Sequence, residues 1–148
     1  MRKMSSNERL SLVAPCGIDC GNCSLNMCKD DPAMIDRLVA RGIPREKIPC
    51  AGCRNIAGDC PVISGNCETY ACVVAKAVEF CHECGEFPCA KLCPSSQRAD
   101  VLPHNVKVFN LCTIARIGVE GFVKVSADIE RRYFKGKMEI GKGPQLPA

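Results

Sequence analysis

Ile43-Pro-Arg-Glu-Lys-Ile-Pro-Cys50-Ala-Gly-Cys53-Arg-Asn-Ile-Ala-Gly-Asp-Cys60-Pro-Val-Ile-Ser-Gly65 is rich in Pro, Gly and Asn and reads as irregular chain. Three cysteines stand in it, two as a Cys-x-x-Cys turn. A loop of this composition has little side-chain volume with which to fix itself, so the thiols are the groups that would order it. Working outward, cysteines recur at 16, 20, 23 and 28 before it and at 67, 72, 81, 84, 89 and 93 after it, with Cys112 standing apart.

The rest of the composition points the same way. The apolar share of 47% counts all 14 cysteines, and the 148 residues include no Trp, two Tyr and five Phe. A chain of about one-domain length with so few large side chains gains its stability from disulfides, metal or association. Disulfides go with a secretory leader, a basic start followed by an apolar run of roughly 7 to 15 residues. Here Leu10, Leu12, Val13 and Ala14 are too few before Pro15 and Cys16. The expectation is therefore a cytoplasmic protein with reduced thiols, and close-set thiols in that compartment argue for metal. No stretch approaches the about 18 apolar residues of a membrane span.

The formal net charge of +4 lies wholly in the C-terminal third. Residues 1–100 carry 12 basic and 12 acidic side chains, and residues 101–148 carry 8 and 4. A four-thiolate zinc site adds a net charge of about −2, which would make the metal-loaded cysteine region acidic. That disfavours nucleic acid as a partner, since phosphate binding needs a concentrated basic face.

Between the cysteine groups the chain shows helical punctuation. Asp31-Pro32 followed by apolar positions 34, 35, 38 and 39 and then Gly42 is a short capped amphipathic helix. Glu68 to Phe80 lacks Gly and Pro, with Ala71, Val74, Ala75 and Val78 at helical spacing and Cys72 in its first turns. From about Leu102, Val108, Leu111, Cys112 and Ala115 and then Phe122, Val125, Ile129 and Tyr133 mark two helices interrupted at Gly118 and ending at Gly136. This predicts one domain over 1–148: a cysteine-rich part over 13–94, a helical hairpin or bent pair over 102–135, and a loose tail over 137–148. The fold class expected is mainly α, a small metal-stapled domain with irregular loops and little or no sheet.

Two Cys-x-x-Cys turns, Cys50-Ala-Gly-Cys53 and Cys81-His-Glu-Cys84, place paired sulfurs where they can share a metal, with turn amides facing them. One pair alone would equally suit a redox dithiol. Two pairs, joined by Cys67-x4-Cys72 and Cys84-x4-Cys89, favour metal. Cys16-x3-Cys20-x2-Cys23 looks like the spacing of radical S-adenosylmethionine enzymes, but the chain has neither the length nor the strand periodicity of their folds. Cys81-x2-Cys84-x4-Cys89-x3-Cys93-Pro94 resembles a ferredoxin ligand run with a lengthened spacer, so a [4Fe-4S] cluster stands as the alternative to zinc. His82 and His104 read as non-ligands, Cys112 as a buried small hydrophobe, Asp19 as a turn cap; Cys28 and Cys93 are left open. Neither paired carboxylates, nor a nucleophile with its base, nor a phosphate-cradling loop supports an enzyme.

Taken in order, Cys16-Gly-Ile-Asp-Cys20-x2-Cys23, Ile48-Pro-Cys50-Ala-Gly-Cys53, Cys60, Cys67-x4-Cys72 and Cys81-x2-Cys84-Gly-Glu-Phe-Pro-Cys89 resemble the small prokaryotic cysteine-rich family catalogued as domain-of-unknown-function family 3795, over roughly residues 13–135. The resemblance implies a metal-binding module, by inference zinc, and no established activity. It marks Cys16, Cys20, Cys23, Cys50, Cys53, Cys60, Cys67, Cys72, Cys81, Cys84 and Cys89 as ligands. About two or three zinc ions and a protein partner are the resulting expectations, with grouping of the thiols and oligomeric state left open.

Overall fold

The computed structural model describes residues 4–63, 65–92, 106–139 and 141–146. Cys93 and His104 lie outside them. The protein is mainly helical, with short helices and tight turns through the cysteine-rich part and a long C-terminal helix.

Local chemistry accounts for the helix boundaries. Helix α1, Ser6–Ser11, opens on a capping box in which Glu8 N–H donates to Ser5 Oγ at 3.2 Å and Ser5 N–H to a Glu8 carboxylate oxygen at 2.8 Å. After the single-turn α2, Ser24–Met27, helix α3 runs Pro32–Ala40, with Asp31 accepting from Met34 N–H and Pro32 in the first turn. Helix α4, Glu68–Lys76, is stopped by Ala77 in the left-handed conformation, φ 54°. It buries Thr69 and Val73 and leaves Val74 63% exposed, so the face predicted from Ala71, Val74 and Val78 is rotated.

Helix α5, Val106–Lys135, is broken at Gly118, whose φ of 75° and ψ of 167° are non-helical, so two helices meet there at a kink. Its buried residues include Leu111, Ile114, Phe122 and Tyr133. Leu111, Ile114 and Phe122 form the main apolar cluster with Val13, Phe80 and Leu92. The sequence places Cys112 on that face, but its thiol is exposed. Asn110, Leu111, Thr113 and Ile114 take the buried positions instead. Asn110 is drawn inward by a hydrogen bond from its Nδ2 to Gly17 O at 2.9 Å, and this fixes the rotation of the helix. After α5, two three-residue strands, β1 (Lys137–Glu139) and β2 (Gly143–Gln145), pair antiparallel with Met138 opposite Pro144. This hairpin falls in the segment read from sequence as a tail.

Two smaller clusters carry the cysteine-rich part. Leu25, Cys28, Leu38 and Ile48 form one, against which Cys23 and Cys50 pack. Leu12, Ala14 and Cys20 form the other, with Cys16 and Cys53 against it. Cys28 is wholly buried and lies 3.3 Å from Leu25 O, which makes it a core side chain.

Candidate metal centre

Every thiol among the described residues is free. The eleven predicted ligands fall into two groups, and the boundary runs through Cys67-x4-Cys72, which spacing alone would keep together. Cys72 belongs with Cys81, Cys84 and Cys89 in one pocket, closed by Val73, Val78, Phe87 and Leu92. Helix α4 supplies Cys72, half-buried beside Val73, the tight turn Cys81–Glu83 supplies Cys81 and, at its end, Cys84, and Cys89 arrives from the following loop.

Cys84 carries the polar contacts of this pocket. Lys76 Nζ lies 3.2 Å from its sulfur and Glu86 N–H donates to it at 3.4 Å. Lys76 is also paired with Glu86. Beside it, burial pushes the Cys81 thiol up to about 12, and the neighbouring Cys16, Cys89 and Cys72 add to the effect. The His82 ring stacks on Phe80 with centroids 5.8 Å apart, and its Nδ1 is buried with no hydrogen-bond partner among the described residues.

Of the other seven, Cys16, Cys23, Cys50, Cys53 and Cys60 lie near Cys20, and Cys67 lies near Cys16 and Cys60. Cys20 and Cys53 are hydrogen-bonded with sulfurs 3.8 Å apart. That bond, together with the Cys53 amide on its sulfur, holds Cys20 down to about 7, and the same bond raises Cys53. Around them runs a repeated local device in which the N–H two residues ahead points at the sulfur: Ile18 toward Cys16, Leu25 toward Cys23, Gly52 toward Cys50 at 3.5 Å, and Val62 toward Cys60. Such amides favour a thiolate. Yet burial is the largest influence on each of these four sulfurs and raises all four, and neighbouring sulfurs raise them further. The backbone is arranged for anions that repel one another.

A soft dication would offset that repulsion, and by donor type both groups fit zinc or an iron–sulfur cluster. Among the described residues, no group of three or more His, Cys, Asp or Glu side chains is already arranged to hold a metal ion.

One element of the site was invisible to spacing. Asp19, read from sequence as a turn cap, does accept from Gly21 N–H at 2.9 Å. It is also almost fully buried beside Cys20, where Arg9 grips it with two hydrogen bonds of 2.8 and 2.5 Å and Ser126 Oγ donates at 2.6 Å. Ser126 comes from α5, 107 residues away. The same helix brings up Glu130, which burial, and after it the charge of Asp19, pushes up to about 7 although Asn22 hydrogen-bonds to it. A carboxyl whose folded value exceeds its unfolded one favours the fold below the unfolded value and loses that contribution as pH rises through about 7. Glu130→Gln is expected to melt with wild type near pH 4. Above pH 7 it should be more stable by about 1–2 kcal/mol, a figure reduced for partial solvent screening. Thermal unfolding of both proteins across that range checks it.

A family model described as a protein of unknown function, DUF3795, matches residues 12–94. That span holds all eleven predicted ligands. Neither the curated proteins nor the solved structures gave a match.

Proposed function

The chain belongs to the DUF3795 family, and from that starting point we propose that it is a metal-binding protein whose thiolate sites hold zinc and fasten a surface for a protein partner. The single observation that supports this most is the pocket of Cys72, Cys81, Cys84 and Cys89: four thiols from three separate pieces of chain, with an ammonium and an amide on one sulfur. Four thiolates are the ligand set of a structural zinc. When bound, zinc would supply charge neutralisation and cross-linking of loops. The protein's own groups hold the thiolates in reach: Lys76 and the Glu86 amide at Cys84, and the turn amides at Cys16, Cys23, Cys50 and Cys60.

The surface we assign to a partner is the solvent side of α5, where Phe109, Ile117 and Val125 are exposed. No helix among the described residues is long and apolar enough to cross a membrane.

Purification without oxygen, followed by metal analysis and a visible spectrum on the same sample, tests the reading. Colourless protein with zinc in both groups is the expected result. Brown protein with equimolar iron and acid-labile sulfide would replace zinc by the iron–sulfur alternative, and protein with neither metal would overturn the proposal.

A further inference from the structure

Spacing in the sequence marks two dithiols, the Cys-x-x-Cys turns Cys50–Cys53 and Cys81–Cys84. The fold sends the two sulfurs of each turn to different surroundings. Cys50 packs against the Leu25, Leu38 and Ile48 cluster and accepts from Gly52 N–H at 3.5 Å, whereas Cys53 packs against Leu12, Ala14 and Cys20. Cys81 packs against the Val13, Phe80 and Leu92 cluster, whereas Cys84 is held by Lys76 Nζ at 3.2 Å and Glu86 N–H at 3.4 Å.

The pair brought together instead is Cys20 and Cys53, 33 residues apart in the chain and hydrogen-bonded sulfur to sulfur at 3.8 Å. No other thiol–thiol hydrogen bond is present among the described residues. Leu12 anchors both partners. Cys20 N–H donates to Leu12 O at 2.8 Å, and the turn that carries Cys53 lies on the Leu12 side chain. A Cβ on Gly52 would stand 2.9 Å from Leu12 Cδ2 and 3.6 Å from Cys20 Cβ, and Gly52 has φ +97°, so glycine is what lets the turn approach this closely. Behind it, Gly58 N–H donates to Cys53 O at 3.0 Å. The sulfurs of a disulfide are about 2.0 Å apart, so the contact has to close by about 2 Å, a displacement of the size that side-chain rotation supplies. Cys53 is half-buried and opens the pair to solvent, while Cys20 is only 7% exposed, which suits an oxidant as small as hydrogen peroxide.

We propose that Cys20 and Cys53 are a peroxide-responsive dithiol that closes to a reversible disulfide. One sulfur of the pair, as its thiolate, attacks a peroxide oxygen; the O–O bond breaks, and the departing hydroxide leaves as water with the first thiol proton, so that a sulfenic acid remains. The second sulfur attacks the sulfenic sulfur; the S–O bond breaks, and the hydroxyl leaves as water with the second thiol proton. Two thiols have given up two electrons, one hydrogen peroxide has taken them, and two waters are formed. A dithiol reductant returns the pair to its thiols by exchange. The inference goes beyond the zinc reading and needs these two sulfurs alone.

The test treats the full-length protein, as purified, with about one equivalent of hydrogen peroxide, blocks the remaining thiols by alkylation and maps disulfides by mass spectrometry of unreduced proteolytic peptides, with zinc counted in the same sample. Because the two sulfurs are already in contact, a Cys20–Cys53 cross-link is expected in about tenfold excess over one across either Cys-x-x-Cys turn, and it should disappear with dithiothreitol. A cross-link formed first within Cys50–Cys53 or Cys81–Cys84, sulfinic acid at Cys20 or Cys53 in place of a disulfide, or both thiols left unreacted would overturn the inference. A Cys20–Cys53 cross-link in protein that carries no metal would support it while the zinc reading failed; zinc retained with no cross-link would do the reverse.

Discussion

If the thiols hold metal as proposed, treatment with a chelator under reducing conditions is expected to unfold residues 16–89 in one transition while α5 keeps part of its helicity. Among its described residues, the irregular chain between Ile43 and Gly65 has one single-turn helix, Arg45–Lys47, and buries the Ile48 side chain in a cluster with Ile43 half-buried against it. What organises it are cysteines held in half-buried positions where burial disfavours their charged form. Removing the cations leaves those thiols to take up protons and the loop to regain its conformational entropy, about 1–2 kcal/mol per residue. Structural zinc contributes about 10–16 kcal/mol of folding free energy per site at neutral pH, more than the whole net stability of an ordinary domain. Helix α5 is long enough for its two segments to retain some helix alone, but Leu111, Ile114 and Phe122 would lose Val13, Phe80 and Leu92 as partners. Far-ultraviolet circular dichroism together with hydrogen exchange by region checks the outcome. Chelated protein that still unfolds cooperatively, with protected amides in the loop, would show that the metals do not hold the fold.

The helices were legible because their signals are local. Asp31-Pro32 and Gly42 bracket α3 within a few residues, and the interruption at Gly118 appears as a kink in α5. Which side of a helix is buried was less legible where another force sets the rotation. Cys112 has the spacing of a core residue, but the Asn110 side chain reaches Gly17 O and turns the helix so that Cys112 faces solvent. Val74 is exposed for a related reason: α4 rests on Thr69 and Val73, and Thr69 Oγ1 donates to Lys91 O at 3.1 Å. Polar contacts of long sequence separation leave no periodic trace. The same holds for the thiols. Spacing marks Cys67 and Cys72 as a pair, but α4 begins between them, and one side of its first turn faces each group. Nothing in the sequence announces that Lys76 belongs to Cys84, a contact set by the turn after α4, or that Ser126 and Glu130 belong to Asp19, whose shared neighbourhood exists only once α5 is laid across the cysteine-rich part.

Asp19→Ala is expected to cost about 3–5 kcal/mol, as much as truncating a core aromatic. The carboxylate has a side-chain exposure of 2%, against 23% for Arg9, so its removal strands a guanidinium that is itself mostly out of water. Ser126 Oγ, Gly21 N–H and Asn22 Nδ2 lose an acceptor at the same stroke. An unsatisfied buried donor costs about 1–3 kcal/mol, and relaxation of Ser126 toward Val123 O, 3.2 Å away, offsets a part of the total. The effect should not stop at stability. Asp19 is the residue before Cys20, and Arg9 and Ser126 clamp it from α1 and α5, so the clamp fixes the central sulfur of the seven-thiol group. Metal affinity should fall along with the unfolding midpoint in denaturant. An Arg9→Ala, Asp19→Ala double-mutant cycle separates the two contributions: the pair term appears as a coupling energy, and a stability loss that persists in the Arg9→Ala background belongs to Ser126 and the turn amides. A variant as stable as wild type would mean that the buried carboxylate is dispensable, and that Asn110, the contacts of Asn22 with Ser126 and Glu130, and the apolar cluster suffice to link α5 to the thiol centre.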